Sequence, residues 1–366
     1  MMADSTFENS VKLGFIEEDT DLRLLRSHFF PSKVGGKPSW LSLSPIPESE
    51  NLQCMKCKGM LIFLMQVYAP LQIRDDTFHR TIFVFICPKA SCCSPDDGSN
   101  FKILRSQLSL VNSFFSSDPP NEELRDDENM DSFPNAAKLQ SLCYVCGIKG
   151  NKKCSQCKRT PYCSKEHQLF DWKAGHKQTC SQESEKEDYK SASGLLFKEF
   201  ELVTEEEEYS EGDSNNSKSE EERLMEYERL MRSPQLQGLE GKYQAEELEK
   251  SATAETEDDK IFLKFKRRIG SEPTQVLRYE RCGVPLWVSS THQPTQSDIP
   301  SCSCGAPRIF EFQVMPQLLN YLAVDRLDAS LDWGTLCIYT CKNSCSIGNM
   351  YKEEFLWKQD FQNAKL

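Results

Sequence analysis

The chain has 366 residues, of which 27% are charged and 38% hydrophobic, and its formal net charge is −12. This acidity argues against direct nucleic-acid binding, because neutralising phosphates requires clustered lysine and arginine, and it favours a basic partner. No apolar run approaches the thickness of a bilayer and no charged-then-apolar leader opens the sequence, so we expect no membrane partner.

The 17 cysteines fall into three groups, and each group contains closely spaced pairs. Structural disulfides are rare in reducing compartments, whereas paired cysteines there are typical of zinc sites. The cysteine pattern therefore predicts an intracellular protein of the cytosol or nucleus with Zn²⁺ as its cofactor.

Residues 1–115 predict a first β-rich lobe. Cys54 and Cys57 form a C-x2-C pair, and the apolar, β-branched and aromatic run at 81–86 is typical of a strand that leads into a second cysteine pair. Four thiols suit one zinc ion, although cysteines in strands can also simply pack. The candidate ligands of this lobe are Cys54, Cys57, Cys87 and Cys92.

Residues 116–140 are acidic and poor in large apolar side chains, so they predict a linker. The next segment, 141–181, contains eight candidate zinc ligands in four pairs. Each C-x2-C pair can direct two thiolates at one metal, and each x3 spacing places two ligands one helical turn apart. The ligands are Cys143, Cys146, Cys154, Cys157, Cys163, His167, His176 and Cys180.

This segment resembles a MYND zinc finger over residues 143–180, including the tryptophan at 172. In that family the two sites interleave, which assigns Cys143, Cys146, Cys163 and His167 to one zinc and Cys154, Cys157, His176 and Cys180 to the other. His167 stands where most members have cysteine, and imidazole is an equally good ligand. With all four positions filled, both zinc ions are expected to be structural rather than catalytic.

The same resemblance implies a shallow groove for proline-containing peptides at Gln168 and Trp172, which lie four residues apart. The alternative is that Trp172 belongs only to the core of a small module.

Residues 182–259 are acidic and serine-rich, and they predict a second, disordered linker with a short helix at 220–231. These acidic runs serve either as solvated spacers or as a shield for a basic client. We expect both linkers to hold the zinc finger away from the lobes. Order should resume at the basic and apolar run 260–268, which predicts a helix.

Residues 260–366 predict a second β-rich lobe, with a strand at 335–340. Its candidate zinc ligands are Cys302, Cys304, Cys341 and Cys345. Three further cysteines have no counterpart between the lobes and are interpreted as ordinary buried thiols: Cys93, Cys282 and Cys337.

The two lobes contain an internal repeat, since residues 36–42 correspond to residues 283–289 and similar cysteine pairs follow both. The predicted fold is therefore α+β and β-rich: two duplicated zinc-knuckle-bearing β lobes, an inserted MYND double-zinc module and disordered acidic linkers. A cleft between the lobes is the expected ligand site.

Most of the chain is similar to the programmed cell death protein 2 family in its MYND-containing form, as residues 30–41 and 309–319 indicate. This resemblance implies a non-enzymatic, dedicated chaperone that captures a newly made small-subunit ribosomal protein with a basic extension and supports assembly of the 40S subunit. It also implies shuttling between cytoplasm and nucleus.

Two alternatives come from the zinc finger. A corepressor adaptor would use the MYND groove to bind proline-containing peptides. A methyltransferase of the SET type would require an Asn-His-x-Cys cofactor motif, which the sequence does not contain.

Overall fold

The computed structural model describes residues 10–71, 74–123, 129–180, 194–208, 256–322, 324, 331–346 and 350–361. None of the helices in these ranges combines the length and apolar character needed to cross a bilayer. The strands are β1 (Lys12–Glu17), β2 (Lys33–Val34), β3 (Ile62–Tyr68), β4 (His79–Ile86), β5 (Phe101–Leu108), β6 (Lys152–Lys153), β7 (Pro161–Tyr162), β8 (Phe200–Glu206), β9 (Leu277–Tyr279), β10 (Arg308–Val314), β11 (Thr335–Cys341) and β12 (Tyr351–Gln359).

The α-helices are α1 (Ala136–Leu139), α2 (Lys165–Asp171), α3 (Lys177–Thr179), α4 (Glu257–Gly270) and α5 (Leu318–Tyr321). A π-helical turn, Trp172–His176, connects α2 to α3. Short 3₁₀ turns span Ser27–Phe29, Ser49–Leu52, Asp75–Thr77, Ala90–Cys92 and Met130–Ser132.

Ten of the strands close into one barrel in the order β1-β8-β2-β3-β4-β5-β12-β11-β10-β9. Alternation along the strands explains the two faces of the sheet. In β4, for example, Ile82 and Val84 belong to one buried cluster, whereas Phe83 and Phe85 belong to another that also contains the zinc-finger residues. The predicted strand at 81–86 is thus part of β4 and is buried on both faces.

The two predicted lobes are not separate sheets with a cleft between them. Strands β2 to β5 come from the first lobe and β9 to β12 from the second, and they join where β5 pairs with β12. The β1–β8 pair closes the other side. Closure satisfies the edge strands that two separate lobes would expose, which is the physical reason for the difference. We call the first-lobe and second-lobe strands the first and second halves of the barrel.

The two halves repeat a pair of hydrogen bonds at the spacing of the predicted repeat. The Gln66 side chain accepts from the Ser39 amide at 2.9 Å and donates to the Ser39 carbonyl at 3.3 Å. Gln313 does the same with Leu286, at 2.6 and 3.0 Å. In each half, the strand that contains this glutamine also has an irregularity in its register with the following strand. It lies near Phe63 in β3 and near Phe310 in β10.

Both predicted linkers contain some ordered structure, so the predicted disorder does not extend over the whole of either one. Within 182–259, strand β8 pairs with β1 and β2 and buries Phe200 and Leu202. Within 116–140, helix α1 buries Ala136. A few alternating apolar side chains are enough to join a barrel that other strands have already built, although the surrounding composition is acidic.

The predicted helix at 220–231 lies outside the described residues. The predicted helix at 260–268 is confirmed as part of α4, which begins earlier because Thr256 and Asp259 form a reciprocal capping box. Its one fully buried side chain is Phe265, and its last turn carries Arg267 and Arg268.

The zinc finger packs against the first half of the barrel, so the expectation that linkers hold it away is also wrong. The indole Nε1 of Trp40 donates a 2.9 Å hydrogen bond to the Gly147 carbonyl. The Lys37 ammonium lies 5.2 Å from the centre of the Tyr144 ring. A module of about forty residues has little core of its own, and docking buries apolar side chains that it could not otherwise cover.

Candidate metal centres

Each of the four predicted sets of ligands is brought together by the fold. Within each set the ligand atoms all lie within 4.8 Å of one another. The four clusters are Cys54, Cys57, Cys87 and Cys92; Cys143, Cys146, Cys163 and His167; Cys154, Cys157, His176 and Cys180; and Cys302, Cys304, Cys341 and Cys345. We call them the first-half, first MYND, second MYND and second-half clusters.

The first-half cluster and both MYND clusters begin with the same kind of turn. The amide four residues after the first cysteine donates back to that cysteine's carbonyl, as Lys58 does to Cys54 at 3.0 Å and Gly147 does to Cys143 at 2.9 Å. The donor residue adopts positive φ, 56° in Lys58 and 72° in Gly147. This turn points both thiols to the same side.

The shorter C-x-C spacing in the second half is accommodated by a tighter version of this turn. The Gly305 amide donates to the Cys302 carbonyl at 2.8 Å, three residues away instead of four. Gly305 has φ of +84°, a conformation that glycine adopts without a Cβ penalty. Nothing lies within 4 Å of the position that its Cβ would take, so backbone conformation alone favours glycine here.

The second pair of each cluster comes from the end of a strand or from one face of a helix. Cys87 directly follows β4, and Cys341 is the last residue of β11. In the zinc finger, Cys163 precedes α2 and His167 lies in its first turn. His167 approaches through Nδ1, 3.1 Å from the Cys163 sulfur. His176 approaches through Nε2, 3.6 Å from the Cys157 sulfur.

One thiol of each cluster has a lowered pKa, which favours the thiolate that binds zinc. Burial opposes ionisation of Cys57, but the Gly59 amide and the other three thiols lower its pKa to about 7. At Cys157, burial is again opposed by the Thr160 and Arg159 amides, which lower the pKa to about 5. The Ala306 amide lowers the pKa of Cys304 to about 7. Hydrogen bonds from Cys146 and Cys163 lower the pKa of Cys143.

The spacing of the sulfur atoms fits zinc rather than disulfides. A tetrahedron with metal–sulfur bonds of about 2.3 Å has sulfur–sulfur edges of about 3.8 Å. The observed separations are 3.7 Å for Cys57 and Cys87, 3.6 Å for Cys304 and Cys341, and 3.8 Å for Cys154 and Cys180. A disulfide would need about 2.05 Å. Zinc is the cofactor that these donor sets fit, and every ligand position in each set is supplied by the protein.

Gln168 and Trp172 lie on successive turns of the same helix, where the Trp172 amide donates to the Gln168 carbonyl. The Trp172 ring is half-buried against the core cluster of the first half, and its centre is 5.9 Å from that of His176. Trp172 therefore packs as part of the core of the zinc finger. A peptide groove at Gln168 and Trp172 stays a prediction.

The remaining cysteines differ from one another. Cys337 is fully buried as expected, and burial raises the pKa of its thiol. Cys93 is half-buried. Cys282 is exposed with φ of 68°, so its interpretation as a buried thiol is wrong. It lies in the turn that follows β9, outside the apolar strand pattern that buries Cys337.

Sequence reasoning missed a layer of buried ion pairs beside the second-half cluster. Arg105 contacts Glu354 at 2.7 Å and donates to the Cys345 carbonyl at 3.0 Å. Glu354 in turn accepts from the Cys341 amide at 3.1 Å. The available signal was the presence of charged residues inside strongly apolar strands, since such residues are rarely buried unless they are paired.

The structure combines a β-barrel that has two four-cysteine clusters with a docked MYND finger that has two further clusters. This combination defines a zinc-binding interaction protein. Residues 10–122 and 259–360 match the N-terminal and C-terminal domains of programmed cell death protein 2, and residues 143–180 match the MYND finger. The chain belongs to the programmed cell death protein 2 family.

Relatives with that name cover almost the whole chain. The protein from Bos taurus is 44% identical over 96% of this chain and 97% of its own length. The protein from Mus musculus is 46% identical over 96% of both chains. A more distant relative, named probable 20S rRNA accumulation protein 4 in Schizosaccharomyces pombe, is 35% identical over 24% of each chain. No solved structure matches the chain.

Proposed function

We propose that this protein is a dedicated chaperone that binds a newly synthesised small-subunit ribosomal protein and supports assembly of the 40S subunit. The observation that carries the proposal is the similarity of this chain to a relative that is named as a probable 20S rRNA accumulation protein. The net charge of −12 supports a basic client. The protein would act in the cytoplasm and nucleus, where it would mask the client's charge until handover.

The client would bind along the outer groove where the two halves of the barrel meet, because the closed barrel offers no cleft between separate lobes. Two cavities of about 330 and 370 Å³ lie along this seam and share Lys102 and Glu353. We call this surface the seam groove. Lys102 and Glu353 form a 2.7 Å ion pair in which the Glu353 side chain is 63% exposed.

The chemistry of the seam groove suits an extended basic segment. Asp97 and Glu353 supply exposed carboxylates, and the half-buried Trp357 presents an aromatic ring that stacks on His292 at 4.6 Å. Arginine side chains bind both carboxylates and aromatic faces. The metal clusters would keep the surrounding turns rigid, which lowers the entropy cost of binding.

The duplicated arrangement also belongs to this proposal. We interpret the recurring glutamine hydrogen bonds as the mark of two copies of one β unit, which now share a barrel. The acidic segments outside the described residues would add a diffuse negative field around the client, by composition alone.

Affinity purification of nascent complexes, followed by mass spectrometry, tests the proposal. The wild-type protein should recover one dominant small-subunit ribosomal protein, and Glu353→Lys should reduce that recovery several-fold. The matched control is Glu18→Lys, which makes the same charge change at an exposed position outside the groove. Absence of any enriched ribosomal protein would contradict the chaperone function itself.

Trp172→Ala separates the chaperone from a corepressor adaptor. Client recovery should survive this substitution, since Trp172 lies outside the seam groove. A wild-type interactome dominated by nuclear repressors and abolished by Trp172→Ala would favour the adaptor instead.

A further inference from the structure

One cavity of the second half is lined by no metal ligand and has no role in the function proposed above. It has a volume of about 910 Å³ and lies between helix α4, the start of β1 and the segment that follows β9. We call it the basic cavity. It is lined by Val11, Lys264, Arg267, Arg268, Arg278, Glu280, Val284, Pro285, Leu286, Phe310 and Gln313.

One wall of the basic cavity is cationic, although the chain as a whole is acidic. Lys264 and Arg267 are exposed, and within the described part of the chain neither side chain makes an ion pair or a hydrogen bond. Arg268 and Arg278 share a single carboxylate, that of Glu207, at 2.5 and 2.9 Å. Glu207 is the residue after β8, so two of the arginines that line the cavity already bind a carboxylate of the chain itself.

The other wall is apolar. Val284 is 78% exposed, which is unusual for a large aliphatic side chain beside a cavity, and Leu286 and Phe310 continue the same wall. Glu280 is the one acidic residue that lines the cavity. Its carboxyl group lies against Gly283, where a Cβ would approach it to 2.1 Å.

In the first half of the barrel, the place that corresponds to the basic cavity is covered by a segment of the chain itself. There the Gly36 amide donates to the Phe197 carbonyl at 3.0 Å, and the buried Lys33 ammonium pairs with Glu199. An extended stretch with apolar and acidic side chains thus covers the first-half site. Gly283 corresponds to Gly36 in the repeat, and among the described residues its amide donates to the Glu280 carbonyl of its own turn. Lys33 corresponds to Glu280, so the positive charge at the second-half site comes instead from Lys264 and Arg267 of helix α4.

We propose that the basic cavity binds an extended segment of a partner protein in which carboxylate side chains flank an apolar one. The carboxylates would bind Lys264 and Arg267, and the apolar side chain would pack on Val284 and Phe310. Charge complementarity selects an acidic ligand, and the apolar wall together with the bound Glu207 carboxylate favours a peptide over a nucleic acid. This partner is opposite in charge to the proposed client and uses a different surface.

Fluorescence anisotropy with the full-length, zinc-loaded protein tests the proposal. The probe is a short fluorescein-labelled peptide in which glutamates flank a single phenylalanine. The double variant Lys264→Glu/Arg267→Glu should bind it at least about tenfold more weakly than the wild type, because two attractive charges become repulsive. Val284→Asp should also weaken binding, whereas a probe with glutamine in place of glutamate should bind poorly to every protein.

Lys266→Glu is the matched control, since Lys266 lies on the same helix but its ammonium faces the Phe262 ring at 4.5 Å instead of the cavity. It should change the affinity less than about twofold. The proposal is overturned if the wild type does not bind the probe, or if the double variant and the control behave alike. Tighter binding of a labelled oligouridine, lost in the double variant, would assign the cavity to RNA and would equally overturn it.

Discussion

Arg80 and Glu311 form a fully buried ion pair that joins the two halves of the barrel. Two hydrogen bonds connect the guanidinium and the carboxylate, at 2.7 and 3.0 Å, and both side chains have no exposed surface. Arg80 belongs to β4 and Glu311 to β10, so the pair spans the barrel interior. Thr340 and Tyr279 donate further hydrogen bonds to the same carboxylate.

Removal of one partner of this pair should strongly destabilise the protein. Arg80→Met leaves the Glu311 carboxylate buried without its principal cation, which should lower the free energy of unfolding by about 3–5 kcal/mol. Urea unfolding in the presence of zinc measures the change. The double variant Arg80→Met/Glu311→Leu removes both charges and should recover much of the loss. Equal stability of the double variant and Arg80→Met would contradict this account.

The same pair predicts a pH dependence of stability. Burial alone would raise the pKa of Glu311, but the charge and hydrogen bonds of Arg80, with Arg281 and Thr340, lower it to about 2 from its usual value of 4.5. Because the folded pKa is depressed, the contribution to stability is present above pH 4.5 and is lost as pH falls towards 2.

The difference in unfolding free energy between the wild type and Glu311→Gln should therefore shrink as pH falls below about 4.5. The difference is the useful quantity, since protonation of the zinc ligands destabilises both proteins alike. A difference that stays constant down to pH 3 would show that Glu311 does not titrate as described.

Four clusters predict four zinc ions per chain. Cys304→Ser should reduce the zinc content by one, because its cluster loses one of four thiolates. Cys282→Ser is the matched control, since Cys282 is exposed and belongs to no cluster. Elemental analysis of pure protein measures both. A wild-type content of two would restrict zinc to the MYND finger.

The histidine at 167 should be replaceable by the other common zinc ligand. His167→Cys should keep the zinc content and the fold of residues 143–180, whereas His167→Ala should release one zinc ion and unfold α2. Cobalt substitution gives a direct spectroscopic readout of the change in donor set. Retention of both zinc ions in His167→Ala would show that His167 is not a ligand.

The hydrogen bond from Trp40 should hold the zinc finger on the barrel. Trp40→Phe keeps an aromatic ring but leaves the buried Gly147 carbonyl without its donor, at a cost of about 1–3 kcal/mol. Amide hydrogen exchange across residues 143–180 should become faster. Trp287→Phe is the control at the corresponding position of the second half, where the described residues offer its indole no acceptor, and it should leave exchange in the finger unchanged.

The sequence by itself determined the metal centres and the local elements. Closely spaced cysteine and histidine pairs must lie near one another, so their spacing identified the candidate ligands, and the internal repeat grouped those of the two halves into the two sets that the fold assembles. The interleaving of the MYND pairs came from the family resemblance. The sequence also predicted strands β4 and β11 and helix α4. Each of these elements is specified by the local pattern of apolar and polar residues within it.

Only the tertiary structure decided how these parts fit together. Whether β5 pairs with β12 to close one barrel depends on residues more than two hundred positions apart, and no local pattern specifies such a partner. Strand β8 could not be predicted from the sequence for the same reason. The segment that contains Phe200 and Leu202 forms a strand because it pairs with β1 and β2, which are distant in the sequence. From the sequence, Arg80 and Glu311 would be expected on the surface because they are charged. Their burial is possible because they contact each other, and only the tertiary structure shows that contact.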